Sequence, residues 1–196
     1  MYKKQMIFER IVCFAVLIAA VLVFVYSLGI MTDMYDGFKD TIRRPERPNE
    51  STVDGTGLLY TMQPFNTTFT NLSVGLILAS LTLFITNTHC RRKYYIGNVI
   101  SVGISTVCNV AITAWALPQI MAYRAQYLQV DFEALKEIAD RKNSFYTDST
   151  FWFDISLVVF GILMVTTVLL IVNLILKFNL MKAEKSLIGS GKGVRA

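Results

Sequence analysis

Hydrophobic positions in this chain do not alternate with polar ones; over four long stretches they run on without a charge. Charged side chains are absent from Ile11 to Thr32, from Gly55 to Thr88, from Tyr94 to Tyr123 and from Ile155 to Leu176, and they crowd the segments between. Roughly 20 helical residues at about 1.5 Å rise cross a hydrocarbon core of about 30 Å, so each window can span a bilayer. Runs such as CFAVLIAAVLVFV and SLVVFGILMVTTVLLIVNLIL require helices. A backbone in lipid must satisfy its own hydrogen bonds, and a closed barrel would alternate in short segments. The expected fold is all-α, an integral membrane four-helix antiparallel bundle forming a single domain. Its spans cover about 8–31, 69–88, 95–121 and 152–177, with a long first outer loop at 32–68, a helical second outer loop at 122–151 and a tail at 178–196.

The second window is the least regular, because its continuous apolar part, Leu72 to Ile85, follows PFNTTFTN. Pro64 reads as a helix opener, with the apolar part beginning near Phe69. The first window follows Lys3, Lys4 and Arg10 and invites comparison with a signal peptide. It is too long for an ordinary h-region and lacks a small-residue cleavage pattern, so it is expected to remain as the first span.

Charge sets the expected orientation. The amino terminus, the turn NTHCRRKYY and the tail together carry eleven Lys and Arg and two acidic residues, a net +9; the two long connections carry eight basic and twelve acidic residues, a net −4. Positive residues near span ends resist translocation, which places both termini in the cytoplasm and makes Arg91, Arg92 and Lys93 inner-face anchors. The sequence pI of about 9.1 then reports orientation and no nucleic-acid partner. His89 beside Cys90 is too little for a four-ligand zinc site, and adjacent helical residues point about 100° apart, so they form no nucleophile and base pair. Cys13 and Cys108 lie within spans, leaving no disulfide framework outside.

In the first outer loop, Leu58, Leu59, Tyr60 and Met62 offer apolar surface to dock on the bundle or on another protein, while Asp33 and Asp36 lack the ligand ladder of a calcium loop and serve helix exit and solvation. Asn49, Asn66 and Asn71 begin Asn-x-Ser/Thr triplets, which could carry glycans only in a eukaryotic secretory membrane. The second outer loop predicts a helix over 132–142, with Asp131 as N-cap, Glu133 in the first turn, and Arg141 and Lys142 in the last. Leu128, Phe132, Leu135 and Ala139 recur at i, i+4, i+7 and i+11, a stripe fit to dock a partner, to pack over the protein's own helices or to lie in the headgroups. Asp148 or Ser149 is the expected cap of the last span, with Phe151, Trp152 and Phe153 at the interface.

No ionisable residue stands in the middle of a span; Glu9 and Arg10 lie at the inner end of the first, where snorkelling accounts for them. Phosphate loops, dinucleotide-binding glycines, paired metal-binding histidines and nucleophile elbows are missing, so neither an enzyme nor a cofactor is expected. The third span is different. Gly97, Ser101, Ser105, Asn109 and Thr113 recur every four residues and gather small and polar groups on one slowly turning face, suited to helix packing or to a partner's helix. Gly75, Ala79, Ala15, Ala19 and Asn173 are its candidate counterparts, and Pro118 is placed to kink this helix beside Trp115.

A chain with these features is expected to be a non-enzymatic accessory, scaffolding or regulatory subunit of a larger membrane complex. The alternative is a self-assembling oligomeric channel or small permease lined by the third-span face. YTMQPFN at Tyr60 to Asn66 and ITNTHCRRKYYIGN at Ile85 to Asn98 resemble small four-span proteins of Gram-positive bacteria associated with solute-uptake ABC transporters. That resemblance implies a bacterial plasma membrane, a transporter subunit as partner and no catalytic motif. The four-span plan is also similar to that of claudin-like proteins, but the first outer loop lacks their tryptophan and cysteines.

Overall fold

The computed structural model describes residues 2–41, 53–87 and 95–189, and within them the only regular structure is helical. Helix α1 is Tyr2–Phe38, followed by a 3-10 turn at Lys39–Thr41; α2 is Leu58–Asn87, α3 is Tyr95–Tyr127, α4 is Phe132–Lys142 and α5 is Phe151–Gly189. Four of them, α1, α2, α3 and α5, are long and apolar enough to cross a membrane.

Two helices run further than the charge-free windows. Helix α1 continues past Thr32 because Ile30, Met34 and Phe38, spaced by four, keep an apolar stripe buried while Asp33, Asp36 and Lys39 fall on other faces. Helix α2 begins at Leu58, eleven residues before Phe69, so Pro64 lies inside the helix instead of opening it. Main-chain bonds from Leu58 to Gly55 (3.1 Å) and from Tyr60 to Gly57 (3.1 Å) wind the chain into that start. Leu58, Leu59 and Met62 are buried there, so of the two expected uses of this apolar surface it is packing within the chain that they serve, from a helix and not from a loop. Pro118 likewise lies inside α3.

The chain divides into two compact units. One gathers Met1–Ala20, Leu76–Val110 and Leu163–Ala196; the other gathers Val21–Gly75 and Ala111–Ile162. The first has an aliphatic core of Val12, Cys13, Val16, Leu83, Val102 and Leu170, flanked by Phe8, Phe84 and Leu174. The second is aromatic. Phe65 stacks on Phe69 at 5.7 Å and on Trp115 at 5.2 Å, Tyr26 meets Phe69 and Phe160 edge-on, and Tyr127 contacts Phe38, Phe132 and Phe153. Such pairs contribute about 0.5–1.5 kcal/mol each beyond their burial.

The connections of the second unit are tied together by main chain. Gly55 has φ +86°, and a Cβ there would stand 2.9 Å from the Cα of Val130. That approach lets the Asp131 N–H donate to the Asp54 carbonyl at 3.2 Å. A residue with a side chain would be strained in φ and blocked in space.

Candidate functional site

The polar face of α3 lies in the first unit up to Val110. Ser105 and Asn109 are fully buried, Ser101 and Thr113 are half-buried, and Gly97 is exposed. A four-residue repeat on a helix of 3.6 residues per turn drifts about 40° at each step, so it crosses the buried stripe and does not follow it. The buried line of α3 is instead Asn98, Val102, Ser105, Asn109, Ile112, Ala116 and Ile120. Close approach through glycine is also absent: a Cβ added at Gly75, Gly97 or Gly103 would meet nothing within 4 Å.

Two polar groups of this face, those of Asn109 and Ser101, are answered by other helices of the same chain, whereas the buried Ser105 hydroxyl has no hydrogen-bond partner among the described residues. Asn109 Nδ2 donates to Thr167 Oγ1 of α5 at 2.8 Å. Ser101 Oγ accepts from Thr86 Oγ1 at 3.1 Å and from Asn87 Nδ2 at 3.2 Å, both of α2. Asn173, anticipated as a counterpart of α3, accepts instead from Gln5 of α1, at 2.7 Å. Bonds of this kind between membrane helices are worth roughly 0.6–2 kcal/mol each.

One pair was not foreseen from the sequence. Glu9 of α1 and Lys177 of α5 are 1% and 6% exposed and form an ion pair at 2.5 Å. Glu9 therefore does not snorkel, although Arg10 beside it is exposed. Both ends of the pair sit at the margins of charge-free windows, 168 residues apart, and each alone reads as a solvated terminus. Two charges out of water hold only as a pair, because removal of either leaves the other uncompensated.

Helix α4 occupies the residues the sequence predicts, Phe132–Lys142. Asp131 Oδ1 accepts from the Ala134 N–H at 3.0 Å, and Asn143 closes the other end in the left-handed conformation at φ 51°. Of the expected docking stripe, Leu135 is 2% exposed and Ala139 5%, while the Phe132 ring contacts Tyr127 at 5.1 Å. The stripe thus packs on its own chain. Leu128 leaves it, 55% exposed, because α3 ends at Tyr127 and the turn through Val130 breaks the register before α4 begins. Lys142 Nζ reaches back to the Asp40 carbonyl at 2.9 Å.

At the start of α5 the cap position falls to Thr150, one residue after the expected Ser149: its carbonyl accepts from the Phe153 and Asp154 N–H groups at 3.0 Å, while the Ser149 hydroxyl accepts from the Phe151 N–H at 3.2 Å. Of the three aromatics that follow, Phe151 is exposed, Trp152 half-buried and Phe153 buried. Trp152 crosses α1 at Gly29, where any Cβ would clash with three atoms of the indole's six-membered ring. Gly29 thus forms a slot on one face of α1 that receives the ring, and Asp33, one turn on, lines the same groove.

Asn66 is buried, and Asn71 lies within α2, so neither sits in the open loop expected of a glycan acceptor. Arg91, Arg92 and Lys93, with His89, Cys90 and Asn49, lie outside the described residues. Among those described, no three His, Cys, Asp or Glu side chains gather as a metal site would require. No protein-family model matches this sequence, and comparison with curated proteins and with solved structures finds no match.

Proposed function

We propose that this chain is a multi-pass plasma-membrane protein, an antiparallel four-helix bundle with both termini in the cytoplasm. In this reading it is a non-enzymatic accessory, scaffolding or regulatory subunit of a larger membrane complex, a transporter. The observation that carries the reading is how α3 divides its groups. Asn109 and Ser101 bond to α5 and α2 of the same chain, while Ile100, Ile104 and Val107 are 55–67% exposed. Polar groups committed to internal bonds are poorly placed to line a water-filled pore, which weighs against the self-assembling channel. An outward surface of Ile and Val suits lipid and the helices of another membrane protein.

Purification of the tagged protein from its native cell in mild detergent tests the reading. One unrelated membrane protein recovered at fixed stoichiometry supports it; a homo-oligomer that conducts ions in pure lipid overturns it. Protease added outside intact cells should leave the last residues of the tail untrimmed.

A further inference from the structure

The second unit carries a surface groove that an accessory role leaves unused. Its volume is about 420 Å³, and small-molecule sites commonly run to about 300–1,000 Å³. One wall is α1, with Val25 and Leu28 exposed at its lower end and Asp33 and Asp36 one to two turns above; the other wall holds the rings of Phe145 and Trp152. Asp36 shares its charge with Lys39 at 3.1 Å. Asp33 forms no ion pair with a basic side chain among the described residues, and it shares the groove with the neutral Trp152 indole.

We propose that this groove binds a small organic cation, an alkylated ammonium ion, with its charge against Asp33 and its alkyl groups against the rings of Trp152 and Phe145. The chemistry selects that class. An aromatic face carries negative potential and attracts a cation that sheds its water easily, which an alkylated ammonium does. A hard metal ion needs six or more oxygens, and one of the two carboxylates here is already paired. An anion is repelled by Asp33, and a neutral solute gains nothing from it. Val25 and Leu28 provide an apolar wall for the rest of the molecule. Trp152 is fixed beforehand by the slot at Gly29, so little ordering is lost on binding. The inference goes beyond the accessory role and does not depend on it.

The chain has two tryptophans, so Trp115→Phe leaves Trp152 as sole reporter. In uncharged maltoside detergent, choline should change its emission saturably, whereas the neutral isostere 3,3-dimethylbutan-1-ol should not. Asp33→Asn should weaken choline binding about tenfold or more, and Phe145→Ala about threefold, as expected for losing an ionic partner and one aromatic face. Phe145 is 53% exposed, so its replacement reads binding even where Asp33→Asn lowers stability. The proposal is overturned by a non-saturable response, by equal response to the alcohol, or by unchanged affinity in the Phe145→Ala protein.

Discussion

Glu9 Oε1 and Lys177 Nζ meet at 2.5 Å and join the first helix of the chain to the last, within a unit whose neighbouring core is aliphatic. The pair should behave as a single element. Glu9→Leu or Lys177→Met alone should cost about 3–5 kcal/mol, because each leaves one buried charge unanswered. The double replacement Glu9→Leu with Lys177→Met should recover most of that loss. Chemical unfolding in detergent, followed by helical circular dichroism, measures all three; additive losses would contradict the coupling.

The bond between Asn109 and Thr167 invites a double-mutant cycle. Asn109→Leu and Thr167→Val should each destabilise, and their coupling should be about 0.6–2 kcal/mol. Ser101→Leu should disturb the bundle less than Ser105→Leu, because Ser101 is half-buried and Ser105 fully so.

At Gly29 even alanine is too large. Gly29→Ala drives a methyl group into the Trp152 ring, and overpacking of this kind typically costs about 1–3 kcal/mol. Tryptophan emission should shift to longer wavelength as the indole is displaced. Gly103→Ala is the contrasting case. Its Cβ meets nothing, so the change should be neutral or stabilising by up to about 1 kcal/mol, the helix-propensity difference.

Gly55→Ala should destabilise by more than about 1 kcal/mol, since it combines a positive φ with contact to the Val130 backbone. Amide exchange at Asp131, whose N–H donates to the Asp54 carbonyl, should accelerate in that variant while exchange in α3 stays slow.

The elements read most completely in the sequence were those whose signals are local. The Asp131 cap, the acidic first turn and the basic last turn of α4 lie within eleven helical residues, and the four apolar helices announce themselves by absence of charge. Helix ends were harder to read. Charge marks where a chain leaves an apolar setting, whereas α1 and α2 continue on buried stripes at Ile30, Met34 and Phe38 and at Leu58, Leu59 and Met62. Contacts over long separation were illegible. Nothing near Glu9 points to Lys177, and nothing near Gly29 announces a tryptophan 123 positions later. On α3, a repeat of four identified the right residue types but drifted off the buried line at Gly97 and Thr113, because the helix turns every 3.6.

Helix α4 is clasped at both ends by the segments that flank residues 42–52: Asp131 N–H on the Asp54 carbonyl at its beginning, and Lys142 Nζ on the Asp40 carbonyl at its finish. The helix is therefore moored twice by unlike bonds, one main-chain and one side-chain, so Lys142→Met should free its far end while the beginning stays seated.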